Sequence, residues 1–163
     1  MARVAILTAS DKGAAGERED VSGQTIARMV MEAGHEVVRH DIVADDRALI
    51  AEHLRVWADM EICDIILTTG GTGLTPRDQT PEATREIGER DVPGIPIALI
   101  ENGLRHTPFA ALTRGVAVTR GQTLIVNLPG SPKAVAQGMD VLLPLLGHVA
   151  ELLEGPLEHG QSA

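Results

Sequence analysis

Aromatic side chains are almost missing from this chain: its 163 residues hold one Trp, one Phe and no Tyr. The core must therefore be aliphatic, and the aromatic platforms on which single-stranded nucleic acid stacks are excluded. Cations are also scarce. Fourteen Lys and Arg stand against 23 Asp and Glu, a formal charge of −9. Such a surface lacks the basic face that a phosphate backbone demands, so no nucleic-acid partner is expected. Cys63 is the single cysteine, so no intramolecular disulfide can form. It falls in an apolar run read as a core strand, which suits a buried, inert thiol better than a nucleophile. The histidines at 35, 40, 53, 106, 148 and 159 show no metal-binding spacing. No signal peptide is read at the start and no apolar run is long enough to span a bilayer. The expectation is a soluble cytoplasmic protein without a membrane partner.

What is present is enough for one ordinary domain: 44% of the residues are hydrophobic and 23% charged. Arg3 to Thr8 reads as a short buried strand, followed by a polar loop from Ser10 to Asp20. Ile26, Met29, Val30 and Ala33 recur at helical spacing, so a helix is expected from about Gly23 to Ala33, stopped by Gly34. His35 to Val43 is a second strand. Asp45 or Asp46 caps a helix with Ile50, Leu54 and Trp57 on one face, and Ile62 to Thr68 is a third strand. Thr80 is read as the N-cap of a helix that starts at Pro81 and runs to about Arg90. A further helix is expected over Ile97 to Arg105. Leu112 to Thr119 and Thr123 to Leu128 read as paired strands around Gly121. Ser131-Pro132 repeats the cap signature, ahead of a helical region from Val135 to Leu153 divided by Pro144. The alternation predicts a single α/β domain over residues 1–155 with a mostly parallel sheet, and a frayed tail over 156–163.

Chemistry concentrates where strands run into helices. The third strand feeds a loop of Gly70, Gly71, Thr72 and Gly73, then Arg77-Asp78, then the helix start at Thr80-Pro81. Glycines let the backbone approach a ligand and aim N–H groups at an anion, and a helix N-terminus adds partial positive charge. Asp78 sets a carboxylate where phosphates would sit, which makes sense with a divalent cation between them. The stretch reads as a site for a phosphorylated ligand with Mg²⁺. A second junction of similar chemistry runs from Asn127 through Pro129, Gly130 and Ser131 to Lys133. Ser10-Asp11 follows the first strand, so three loops can converge at the carboxyl edge of an open sheet. Neither junction is a standard nucleotide motif. On the residues alone Asp45-Asp46 remains a helix cap as readily as a site, Lys133 a solvated lysine as readily as a ligand, and Arg18 an anion binder or a counter-charge to Glu17, Glu19 and Asp20.

Thr68-Thr69-Gly70-Gly71-Thr72-Gly73, then Arg77-Asp78 with Thr80-Pro81-Glu82-Ala83-Thr84, and finally Asn127 to Lys133 together resemble the molybdopterin adenylyltransferase family. That family includes the bacterial MogA and MoaB proteins and the G domain of gephyrin. Ser10-Asp11-Lys12 and Gly16 to Asp20 match its N-terminal loop, so the resemblance covers nearly the whole chain in order. It implies a doubly wound, mostly parallel sheet sandwiched between helices. It implies transfer of AMP from Mg-ATP to the terminal phosphate of molybdopterin, with release of pyrophosphate. It implies a homo-oligomer, trimer or hexamer, and a downstream molybdenum-insertion protein as partner. Two family aspartates important for transfer fall on Asp78 and Asp45, which would also be the metal ligands, Asp46 being the adjacent competitor. Ser10, Thr69, Gly70, Gly71, Thr72, Gly73, Asn127, Pro129, Gly130, Ser131 and Lys133 would bind substrate and nucleotide. One segment departs from the pattern. Many members carry Pro-Gly-x-x-Glu-x-x-Arg where this chain has Ile97 and Ile100 at the charged positions. The alternative is therefore a non-catalytic pterin-binding or scaffold member of the family.

Overall fold

The sheet is built outward from the N-terminal strand. The computed structural model describes residues 1–155; the expected frayed tail, 156–163, lies outside the described residues. Strand β1 (Arg3–Ala9) is buried after its first residue. It pairs in parallel with β2 (Glu36–Val43) on one side and β3 (Ile65–Thr69) on the other. β3 pairs in parallel with β6 (Thr123–Leu128), and β5 (Ala117–Arg120) and the two-residue β4 (Arg90–Asp91) close the far edge antiparallel. The spatial order is β2-β1-β3-β6-β5-β4. Chain order reverses about β1, so the loops after β1 and β3 splay around a crevice at the carboxyl edge.

Side-chain alternation divides the core into two layers. Val4, Ile6, Ile65, Leu67, Val126 and Leu128 face one side, covered by α2 (Val21–Glu32), α5 (Gly94–Leu104) and α6 (Pro132–Leu153). Ala5, Leu7, Ile66 and Ile125 face the other, covered by α3 (Arg47–Asp59) and α4 (Thr80–Ile87). The period-two strand pattern thus places helices on both faces, as a doubly wound sheet requires. Trp57, the only Trp, closes the second layer at 5% exposure. Cys63 is buried there too, and burial pushes its thiol pKa up to about 12.

Several expected boundaries move. A four-residue helix α1 (Asp11–Ala14), capped by the Ser10 hydroxyl, stands inside the loop read as irregular. β3 begins at Ile65, not Ile62, because Asp64 turns its carboxylate to the Arg3 backbone N–H (2.7 Å) and guanidinium (2.8 Å). Cys63 therefore precedes the strand. α4 ends at Ile87, ahead of the edge strand that sequence periodicity did not register. α5 starts at Gly94, earlier than the expected Ile97. Leu112 belongs to a 3-10 turn (Pro108–Leu112), and β5 starts only at Ala117. Pro144 does not divide α6, which runs unbroken through it. A mid-helix proline costs about 3 kcal/mol. Here Pro144 and Asp140, whose carbonyl it leaves unpaired, are both exposed to water, while Val135, Met139, Leu142, Leu146 and Ala150 hold the helix to the sheet.

Candidate functional site

Two cavities open side by side at the carboxyl edge of the sheet. One, about 560 Å³, is polar and includes Ser10, Arg18, Asp20, Asp45, Thr69 and Gly70 in its wall. The other, about 450 Å³, is largely apolar, with Leu99, Ile100, Phe109 and Leu112 in its wall. They share Gly71, Asp78, Gly130 and Ser131. The three loops expected to converge do so, and the common wall is made from the two strand-to-helix junctions.

The glycine loop leaves β3 with positive φ at Gly70 (91°) and Gly71 (67°). A side chain at Gly70 would collide with the Ala9 carbonyl, and one at Gly71 with the Thr80 hydroxyl. Only glycine fits on both counts. Thr80 is not the N-cap it was expected to be. Gln79 holds that position without a side-chain cap bond, and Thr80 is the first helical residue. Its backbone N–H donates to the Gly71 carbonyl (3.1 Å), which closes the loop, while its buried hydroxyl finds no protein partner among the described residues.

The acids separate cleanly. Asp46 caps α3 by accepting from the Leu49 N–H at 2.9 Å. Asp45, next to it, turns into the polar cavity. It exchanges bonds with Asp11: the Asp11 N–H donates to Asp45 Oδ2 and the Asp45 N–H to Asp11 Oδ1, both at 3.0 Å. Arg77 grips Asp11 with both arms (3.0 and 2.8 Å) and holds its carboxyl below the usual range. Asp45 shifts the other way. Burial raises its pKa, and the charges of Asp11 and Asp78 add to that, against the Asp11 N–H. Asp78, half-buried, accepts at Oδ2 from the Thr75 N–H (2.9 Å) and hydroxyl (2.8 Å), leaving its other oxygen free of protein hydrogen bonds among the described residues.

Arg114 escaped the sequence reading. It donates to the Gly73 carbonyl (2.8 Å) and the Asp78 carbonyl (2.8 Å), pairs with Glu82, and its backbone N–H donates to the Thr72 carbonyl (2.9 Å). One side chain thus ties the glycine loop, the Asp78 loop and α4 together. It is remote in sequence from everything it holds, and no motif flags it. Ser22 was missed for the same reason. Its hydroxyl donates to the Gly130 carbonyl (2.5 Å), and Thr69 donates to the neighbouring Pro129 carbonyl (2.6 Å). In a trans peptide the N–H opposes the C=O. Pinning both carbonyls turns the Gly130 and Ser131 N–H groups away from Ser22 and Thr69, and neither donates to a protein acceptor among the described residues. Ser131 caps α6 from its side chain, accepting from the Ala134 N–H at 3.1 Å.

Other expected site residues fall as follows. Thr72 and Gly73 line the apolar cavity. Asn127 lies at its wall, but its amide is spent inside, donating to Thr68 and Thr84 and accepting from the Val116 N–H. Lys133 is exposed on the first turn of α6 and lines neither cavity. Arg18 is the one cationic side chain lining the polar cavity, among the described residues. Ile100 lines the apolar cavity, whereas Ile97 is 63% exposed.

Residues 5–148 match the family described as "Probable molybdopterin binding domain". The chain belongs to this family. Within the molybdopterin-binding-domain family, the MoaB molybdopterin biosynthesis enzyme of Thermus thermophilus superposes with a TM-score of 0.89 at 51% identity, over 96% of this chain and 98% of that one. A molybdopterin adenylyltransferase of Helicobacter pylori is 36% identical over 93% of this chain and 88% of its own length. The molybdenum cofactor synthesis protein cinnamon of Drosophila melanogaster is 40% identical over 91% of this chain, which spans 25% of that longer relative. Among the described residues no helix is long and apolar enough to cross a membrane.

Proposed function

We propose that this chain acts in molybdenum-cofactor biosynthesis as a molybdopterin adenylyltransferase, using ATP as AMP donor. The observation that carries the reading is the pair of cavities meeting at Gly71, Asp78, Gly130 and Ser131. A two-substrate transfer needs one chamber for each ligand and a shared wall where the reacting groups meet. An oxygen of the terminal molybdopterin phosphate attacks the α-phosphorus of ATP. A new P–O–P linkage forms, the bond from the α-phosphorus to the bridging oxygen breaks, and pyrophosphate carries away the electron pair. No proton need move, because the nucleophile is already ionised, so the chain's work is alignment and charge screening.

The residues divide that work. Gly71 to Gly73 and the free N–H groups of Gly130 and Ser131, at the N-terminus of a 22-residue helix, are oriented for anionic oxygens, while Gly70, whose N–H donates to the Leu128 carbonyl (3.3 Å), sets the turn. Ser10, Thr69 and Pro129 shape the same rim, and Arg18 is a further anion contact. The polar cavity nonetheless carries Glu19, Asp20, Asp45 and Asp78 against that one arginine. Phosphates entering so acidic a chamber call for a divalent cation. Among the described residues no three His, Cys, Asp or Glu side chains cluster to hold a metal. Mg²⁺ does not need such a cluster, since it typically takes one or two carboxylates and completes its shell with phosphates and water. Asp45 and Asp78 fit that donor set, and Mg²⁺ bound there would screen the phosphates. Lys133 lines neither cavity, and Asn127, in the wall of the apolar one, braces β3, α4 and the residue ahead of β5.

The scaffold alternative draws on Ile97 and Ile100; both lie on α5, Ile97 exposed and Ile100 in the wall of the apolar cavity that Asp78 also lines, whereas both acids the transfer calls on are in place. In solution the chain is a trimer or a pair of trimers in the cytoplasm, handing product to a molybdenum-insertion protein. Incubation with molybdopterin, ATP and Mg²⁺ tests the reading: adenylylated pterin and pyrophosphate should accumulate together. Bound pterin without product selects the scaffold role, and a monomer in light scattering contradicts the assembly.

A further inference from the structure

The chain's only phenylalanine is among its most exposed apolar side chains. Phe109 is 74% exposed, whereas Trp57 is 5% exposed. A ring left in water, in a chain that has so few, calls for a reason. Phe109 lies in the wall of the apolar cavity and is the only aromatic side chain lining either cavity, among the described residues. Its place is firmly built. It sits on the 3-10 turn Pro108–Leu112, whose cap Thr107 accepts from the Phe109 N–H at 3.3 Å. The turn is seated on α5 so closely that a Cβ on Gly103 would come within 2.7 Å of the Ala110 methyl. Gly103 lets this ledge lie against the helix, and the ring projects from the ledge at the cavity's edge. At about 450 Å³ the cavity is of ordinary small-molecule size.

We infer that Phe109 is a ring-recognition residue that stacks on the planar heteroaromatic ring of a bound ligand. The inference rests on the adenylyl-transfer reading for the source of that ring, since both ATP and molybdopterin carry one. The division of the site agrees with it. Charged groups gather in the polar chamber, and the apolar chamber offers Leu99, Ile100 and Leu112 beside the ring. A stacked aromatic recognises flatness and needs no hydrogen-bond partner of its own.

Phe109→Trp provides a reporter, because the native Trp57 is buried and gives a constant background. Its emission is titrated with adenosine, with neopterin and with inorganic tripolyphosphate. Saturable quenching by a ring compound, and none by tripolyphosphate, is expected; the arm that quenches names adenine or pterin as the ring. Phe109→Ala should weaken binding of the same compound about tenfold, with the affinity for tripolyphosphate and the oligomeric state unchanged. Ring binding to the unmodified protein that is indifferent to residue 109 overturns this inference alone. So does an affinity loss accompanied by subunit dissociation in light scattering, which would assign Phe109 to a contact between copies. If neither ring compound binds the unmodified protein, the functional reading falls together with it.

Discussion

The two strand-to-helix junctions look alike in sequence and are built differently. Each ends a buried strand, passes through glycine and enters a helix at a hydroxyl residue followed by proline. At the β6–α6 junction Ser131 does what that signature promises and caps the helix. At the β3–α4 junction Thr80 lies one residue inside the helix, and its hydroxyl has no partner among the described residues. The bracing also differs. An arginine with its carboxylate holds the first junction, whereas two hydroxyls pin the second by its carbonyls. The first junction presents an acid to the cavities and the second presents bare N–H groups. A cap signature therefore marks where a helix begins, but the surrounding loops decide which atoms are left for a ligand.

The largest test of this contrast removes the acid. Asp78→Asn should cut adenylylation by ~10²-fold or more, as loss of an alignment or screening contact at a transition state does. The melting temperature should stay nearly unchanged, because Asn keeps an oxygen for Thr75, and pterin binding should persist. Asp45→Asn should behave similarly. Asp46→Asn should be mild, since Asn caps a helix as well as Asp does. Near-full turnover in Asp78→Asn would make the first junction structural only. Damage from Asp46→Asn rather than Asp45→Asn, with the cap kept by Asn, would move the acting carboxylate one residue along to Asp46.

Next in size is the bracing. Arg114→Ala strands Glu82 and frees the Gly73 and Asp78 carbonyls, so a loss of about 1–3 kcal/mol in urea denaturation is expected. A fall in kcat should accompany it. Arg114→Lys should recover part of the stability but little of the rate, because an ammonium cannot reproduce the planar fork. At the other junction Ser22→Ala removes one neutral hydrogen bond and should cost about 1 kcal/mol, with a smaller loss of rate. Equal rate losses from Ser22→Ala and Arg114→Ala would erase the distinction between the two braces.

Much of this arrangement was legible beforehand. Short continuous apolar runs announce β1, β3 and β6, helical spacing announces α2 and α3, and glycines beside Arg77-Asp78 mark one junction. On the residues alone the choice between Asp45 and Asp46 stays open, because a cap and a ligand ask for the same residue type. Only the register of α3 decides it. Arg114 and Ser22 carried no signal, since each acts on a backbone carbonyl distant in sequence. Pro144 misled for a related reason: local propensity read it as a break, and packing of the opposite face against the sheet prevailed. The two-residue β4 is too short for any periodicity to show.

The smallest expected effect goes most directly to the difference between the two hydroxyls. Ser131→Ala deletes a working cap. The Ala134 N–H loses its acceptor, and stability should fall by about 1 kcal/mol. Thr80→Val replaces a buried hydroxyl that satisfies nothing with a methyl of similar shape. The free protein then no longer carries a desolvated, unpaired oxygen, so its stability should hold or rise by up to about 1 kcal/mol. The backbone bond from the Thr80 N–H to the Gly71 carbonyl is untouched by the change, so the loop should keep its shape. The two variants should therefore move the midpoint of urea denaturation in opposite directions, or one of them not at all. A Thr80→Val protein as destabilised as Ser131→Ala would show that the Thr80 hydroxyl is bonded in solution, and the two junctions would then be capped alike.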